Sequence, residues 1–233
     1  MITIKVADLA IGIDNRFEYI ERLAADYLTD DDPLFTVSAT DADIENERAQ
    51  SETDFSNGYL ESIVVYRKIA EIIPKYGAFV FHGAILNFDG VAYAFTARSG
   101  VGKTTHTGLW ISEFKDKVHY LNGDKPIIRI IDGKVYASGT PWKGKEGYGV
   151  NEMAPLSGIA LLERGLENEA KQIPSSLGVL RLVSQIYLPK DKESLKITMK
   201  LADSVIRDVK FIELKCNMLP SAAHVAKRAF IGE

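Results

Sequence analysis

Cysteine is nearly absent. Cys216 is the one thiol in 233 residues, so an internal disulfide is excluded and a reducing compartment is the natural setting. Its environment is expected to be packed and unreactive, because no histidine lies close to it in sequence. Histidine is scarce as well. The four (His82, His106, His119 and His224) and the single cysteine show no zinc spacing. No apolar run approaches the roughly 18 residues a membrane span requires. A basic excess is also missing: the net charge is −4, which withholds the electrostatic footprint of a nucleic-acid binder and any polybasic attraction to anionic membranes. The opening residues, Met1 to Val6, lack a signal-peptide layout, and neither repeats nor low-complexity tracts occur. The expectation is a cytoplasmic protein with no nucleic-acid or membrane partner.

What is present is an ordinary globular pattern. Hydrophobic residues make up 46% of the chain, enough for a sizeable core without a disulfide or metal staple. Residues 2–13 alternate as a strand or hairpin, and 17–28 have helical spacing that ends at Asp30-Asp31-Asp32-Pro33. A strand is expected at 34–39. Thr40 then opens an acidic helix with Asp43 as capping-box partner. Residues 49–58 read as a linker, which separates a small N-terminal α/β segment (1–57) from a larger domain (58–233). The larger part starts with an amphipathic helix over 59–73. Asp89-Gly90 and Asp132-Gly133 mark hairpin turns. Later helices are expected at 175–187, 192–209 and 221–230, with strands at 159–163 and 211–214. Strands, hairpins and helices mix without strict βαβ alternation, so the expected class is α/β on a mixed sheet.

The chemistry concentrates at Ala97-Arg98-Ser99-Gly100-Val101-Gly102-Lys103-Thr104. This matches the phosphate-binding loop G-x-x-x-x-G-K-[ST] with Ala at the first glycine. Gly100 and Gly102 let backbone N–H groups turn toward phosphate oxygens. Lys103 supplies a cation for the β- and γ-phosphates, and the Thr104 hydroxyl is a hard ligand for Mg²⁺. The following helix aims its positive end at the same anions, with Thr105 in its first turn. The expected cofactors are ATP and Mg²⁺.

Three further features join this loop. If Asp89-Gly90 is a two-residue turn, paired residue numbers sum to 179 and His82 lies opposite Ala97, at the mouth of the phosphate site. There it can take a proton or hold a carboxylate. Asp124 follows the apolar run Val118–Leu121, where a carboxylate often faces Mg²⁺. It can also be a plain turn residue of Asn122-Gly123-Asp124. Residues 139–149 carry four glycines with Lys143 and Lys145, the composition of a mobile lid over phosphate or acceptor.

From His82-Gly83, the phosphate loop and Gly123-Asp124, the chain resembles the HPr kinase and phosphoenolpyruvate carboxykinase superfamily over roughly residues 78–150. The full chain, with Asn122-Gly123-Asp124-Lys125-Pro126 and Gly139-Thr140-Pro141-Trp142, is similar to short bacterial HPr-kinase-like proteins. The resemblance implies a P-loop core of that family and phosphoryl transfer from ATP to a serine-type hydroxyl of a protein or peptide. Asp124, His82 and Lys103 would then carry the reaction. Two departures stand out. Gly123 replaces the first acid of an Asp-Asp pair, which keeps a non-catalytic nucleotide-binding module, or a small-molecule kinase, as alternatives. Glu163-Arg164-Gly165-Leu166 is only superficially like the family's Glu-Ile-Arg-Gly-Leu-Gly signature, and no role is carried over to it.

Overall fold

The computed structural model describes residues 1–98 and 100–232. The chain opens with strands β1 (Ile2–Val6) and β2 (Leu9–Asp14), an antiparallel hairpin whose turn residues Ala7 and Asp8 both take positive φ. Helix α1 (Glu18–Leu23) is short and runs into a 3₁₀ turn at Ala25–Tyr27, so the expected helix over 17–28 is divided. Strand β3 (Phe35–Ser38) pairs with β2 in parallel.

Helix α2 (Asp41–Ala49) begins with the capping box that its sequence announces. Thr40 Oγ1 accepts from Asp43 N at 3.2 Å, and Thr40 N donates to Asp43 Oδ2 at 2.9 Å. Lys68 Nζ adds a 2.6 Å contact to the same carboxylate. These bonds, the one from Lys68 first, lower the Asp43 pKa to about 2. A carboxylate whose pKa falls on folding contributes stability above its unfolded pKa near 4 and loses it as the pH drops toward 2. The side chain is about one-third exposed, so screening reduces the effect to about 1 kcal/mol. Asp43→Asn is therefore expected to lower urea-unfolding stability by that amount at pH 7 and to leave stability at pH 2 nearly unchanged.

Helix α3 (Asn57–Ile72) starts at the boundary expected between the two parts of the chain. Its apolar face does not stay with one of them. Val65, Tyr66, Ile69 and Ala70 join the N-terminal residues Ile4, Ile11 and Ile13 in one cluster, which also takes in Val80, Ile127 and Trp142 from the larger part. Buried Glu61 fixes the entry to α1 by accepting from Arg16 N and Phe17 N at 2.7 and 3.1 Å. The N-terminal segment thus forms a wall of the main domain.

The larger part holds β4 (Ala78–Val80), β5 (Ala84–Phe88), β6 (Val91–Thr96), α4 (Lys103–Phe114), β7 (Val118–Asn122), β8 (Ile127–Ile131), β9 (Lys134–Ser138), β10 (Met153–Arg164), β11 (Glu169–Gln172), α5 (Ser175–Val183), α6 (Lys192–Asp208), β12 (Lys210–Cys216) and α7 (Ser221–Ile231). Among the described residues these strands form one mixed sheet. The long β10 organises it. Its first residues pair antiparallel with β9, and its later ones lie parallel to both β6 and β12. The class is the mixed α/β sheet expected. Asp89-Gly90 and Asp132-Gly133 turn their hairpins with both residues at positive φ, as two-residue primed turns demand. The β5–β6 pairs sum to 179, with Ala84 opposite Phe95 and Phe88 opposite Val91.

Three features of the chain's path position the site. The apolar run 78–88 is two strands in different arms of the sheet, because β4 pairs with β8 while β5 pairs with β6 and β7. Strand β7 lies beside β5, so β5 separates it from β6 and the phosphate loop. Helix α5 ends at Val183, short of the expected residue 187. The next residues leave to bond the 80–82 segment: His82 N donates to Gln185 O at 2.7 Å and Tyr187 N to Val80 O at 3.0 Å.

Candidate functional site

Strand β6 delivers the phosphate loop to the N-terminus of α4. Ala97, at the position of the motif's first glycine, is buried and does not take positive φ, so alanine fits there without strain. Gly100 and Gly102 do take positive φ, at 75° and 121°, a conformation that disfavours any side chain. Gly102 caps α4, its carbonyl accepting from His106 N at 2.9 Å. Ser99 lies outside the described residues.

The loop is braced from β10. Arg164 Nη2 donates to Gly100 O at 2.6 Å, and its Nε donates to Val101 O at 3.4 Å. A guanidinium that occupies these carbonyls holds a glycine-rich turn in one shape. The only sequence hint of Arg164 was its place in the run that faintly resembles the kinase signature.

Lys103 and Thr104 open onto a cavity of about 700 Å³. His82, Asp124 and Lys125 line it from the sheet edge, Lys143 and Lys145 from the 139–149 loop, and Tyr19 and Tyr59 from the N-terminal wall. His82 Nε2 stands 3.5 Å from Asp124 Oδ1, and Lys125 Nζ stands 3.4 Å from Asp124 Oδ2. Backbone bonds create this juxtaposition. Gly83 N donates to Asp124 O at 3.0 Å and Phe81 N to Pro126 O at 2.9 Å, so the break between β4 and β5 sits directly on the Asp124 turn. Thr96 Oγ1 donates to His82 O at 3.0 Å and tethers the same residue to the end of β6.

Asn122 aims Asp124. It is fully buried. Its Oδ1 accepts from Asp124 N and Lys125 N at 2.8 and 2.7 Å, while Nδ2 donates to Thr140 O and Oγ1, both at 3.1 Å. One amide therefore shapes the acidic turn and fastens the start of the neighbouring loop. Gly123 N donates to Tyr148 O at 2.9 Å. A Cβ at position 123 would come within 3.2 Å of Lys143 O and 3.4 Å of Tyr148 Cβ. The loop packs over this glycine, and a side chain at 123 would require its neighbours to give by a few tenths of an ångström.

The 139–149 loop is anchored along much of its length. Trp142 Nε1 donates to Ser62 O at 3.0 Å, Tyr148 stacks on Tyr120, and just beyond the loop Val150 N donates to Leu121 O at 3.1 Å. Lys143 lines the cavity while its ammonium lies 3.5 Å from Asp26 Oδ2 and over the Tyr27 ring. Lys145, by contrast, is exposed at the tip. Thr105 is exposed on α4 and does not line the cavity. Ala97, Arg98 and Val101 line a separate cavity of about 860 Å³ with Arg164 and Arg181.

Electrostatics set the proton states. Burial is the main cause that lowers the His82 pKa. Lys125 and Lys103 lower it further, and Asp124 works against them. The ring is therefore held neutral and able to accept a proton. Burial also lowers the Lys103 pKa, with Asp124 opposing and Lys125 adding to the fall. The remaining histidines have structural partners. His106 is buried, held neutral by burial at a pKa of about 4, and accepts from Trp110 Nε1 at 3.1 Å. His119 and His224 stand at 2.7 and 2.9 Å from Glu152 and Glu113. Burial raises the Cys216 pKa, which favours its unreactive thiol form.

No protein-family model matches the chain, and no curated protein does. Among solved structures, the HPr(Ser) kinase/phosphatase from Coxiella burnetii is similar at a TM-score of 0.40 and 10% identity, over 64% of this chain and 94% of that one. No helix of the described residues is long and apolar enough to cross a membrane. Nor do three or more His, Cys, Asp or Glu side chains cluster among the described residues to hold a metal ion by themselves. Thr104 and Asp124 both line the cavity of about 700 Å³ and carry hard oxygen donors, the ligand type a small divalent cation such as Mg²⁺ takes.

Proposed function

We propose that the protein is an ATP-dependent kinase that transfers phosphate to a serine-type hydroxyl of a protein or peptide. The observation that carries this reading is the single cavity in which Lys103 and Thr104 of the phosphate loop meet His82 and Asp124. The loop amides and Lys103 would hold the triphosphate, and Thr104 and Asp124 would hold Mg²⁺. When bound, Mg²⁺ supplies charge neutralisation on the phosphates. Neutral His82 is suited to take the proton of the acceptor hydroxyl, whose own pKa is far too high for it to ionise unaided. Asp124 orients the imidazole and stabilises its protonated form. Incubation with labelled ATP, Mg²⁺ and candidate proteins and peptides tests the reading directly. Tight ATP binding without transfer to any acceptor would end it.

That outcome would favour a second reading, a nucleotide-binding regulatory module. The packing at Gly123 supports it, because it leaves one acid where a pair would serve both metal and base.

The loop gives a further expected result. Since Trp142 and Val150 are already bonded to the body of the protein, nucleotide should slow hydrogen exchange chiefly at residues 143–148. Exchange of these amides with and without a non-hydrolysable ATP analogue measures this. Identical rates in the two states would remove the loop from the phosphate site.

A further inference from the structure

We propose that the groove behind His82, between α3 and residues 184–190, is the acceptor site, and that it takes an extended peptide with an acidic side chain flanking the reacting hydroxyl. The inference rests on the phosphotransfer reading and deepens it.

The groove encloses about 750 Å³ and meets the phosphate cavity only at Tyr59, Ile63, His82 and Lys125. None of the described phosphate-loop residues lines it. In-line transfer puts the attacking oxygen on the side of the γ-phosphorus opposite the leaving oxygen. With the nucleotide's phosphates on the Lys103 side, the acceptor has to arrive from beyond His82, where this groove opens. There the hydroxyl oxygen bonds to the γ-phosphorus as the β,γ-bridging P–O bond breaks. His82 takes the hydroxyl proton, and ADP leaves with the bridging oxygen.

The shape favours a chain over a compact molecule. A second cavity of about 520 Å³ continues the groove along α2 and α3, sharing Glu47, Gln50, Arg67, Tyr187 and Lys190 with it. Each cavity alone is already within the size range that suits a drug-sized ligand, so the pair is longer than a small alcohol needs. The lining of the first mixes aromatic, aliphatic and polar groups, with Phe55 and Tyr59 partly exposed. Charge then selects the peptide. Lys125, Arg67 and Lys190 line this groove, but Lys125 stands against Asp124 and Arg67 against the groove's own carboxylate, Glu47. Farther along, Glu71 is occupied by Tyr187 Oη and Lys190 N, and Asp191 caps α6 through Ser194 N. Among the described residues that leaves Lys190, exposed where the two cavities meet, to face an acidic side chain of the peptide.

The test uses the full chain, Mg²⁺-ATP and a serine-centred peptide library with varied flanking residues. Both phosphate incorporation and binding of fluorescent peptides are measured. Peptides with Asp or Glu flanking the serine should be preferred. Lys190→Glu, an exposed change outside the phosphate cavity, should raise KM for the acidic peptide about tenfold, leave kcat and ATP affinity unchanged, and improve use of a Lys-flanked peptide. Equal KM and equal peptide binding in Lys190→Glu and wild type would overturn the groove assignment. Charge-dependent peptide binding without any phosphate transfer would support the groove while ending the kinase reading. Transfer to small alcohols alone, with no peptide bound, would overturn the groove and leave phosphotransfer standing.

Discussion

Asp124→Asn should cut phosphoryl transfer by about a hundredfold or more while ATP affinity falls only a few-fold. The substitution keeps the side chain's shape, so the turn built on Asn122 should survive. What it removes is the charge that faces both His82 and Lys125. Without that charge a protonated imidazole loses its counter-ion, and the adjacent Lys125 and Lys103 disfavour protonation further. A carboxylate that orients and stabilises a catalytic imidazole can account for several powers of ten in rate. The metal also loses one of its two proposed protein oxygens, but phosphate oxygens and water remain to it. Single-turnover rates and calorimetric ATP titrations, run on the same variant, separate the two effects. Undiminished transfer in Asp124→Asn would move the chemistry away from this turn.

Lys103→Ala should weaken ATP binding by about 1.5 to 3 kcal/mol, roughly a ten- to hundredfold rise in Kd. Lys103 is partly buried at the start of α4, and its nearest charges are Asp124, which favours its protonated form, and Lys125, which opposes it. A triphosphate brings the negative charge that this burial otherwise lacks, so the ammonium's interaction is stronger than at an open surface. The fold should tolerate the change, because Gly102 and the carbonyls held by Arg164 still define the loop. Calorimetry with Mg²⁺-ATP measures the affinity, and urea unfolding without nucleotide checks that stability is retained. An unaltered Kd would mean that the triphosphate does not use this loop.

The local features were legible in the sequence because their causes are local. Thr40 and Asp43 are three residues apart and satisfy one another's backbone whatever surrounds them. Asp89-Gly90 sets the β5–β6 register, since a two-residue turn with both φ positive admits one pairing. The glycines and lysine of the phosphate loop announce themselves by type and spacing, and the structure gives Gly100 and Gly102 the backbone that only glycine adopts freely.

Tertiary structure decided which of these features meet. Nothing in the apolar run 78–88 shows that it breaks at 81–83, because both halves are equally suited to a buried strand. The break follows from competition between β8 and β6 for partners, and it puts His82 against Asp124. Helix α5 stops at Val183 for a similar reason: residues 185 and 187 bond to that broken segment instead of continuing the helix. The glycines of the 139–149 loop suggested mobility, while Trp142, Tyr148 and Lys143 find anchors more than twenty residues away along the chain. Arg164 carried no spacing signal, since the carbonyls it holds are brought to it by the pairing of distant strands, and Lys125 stands beside Asp124 in sequence but only the fold turns both onto one cavity. Composition and local geometry determine the mixed α/β class, the hairpins, the capped helix and the glycine-lysine pattern of residues 97–104. The cavity, its N-terminal wall and the groove behind His82 exist only because long-range hydrogen bonding and one shared apolar cluster bring those segments together.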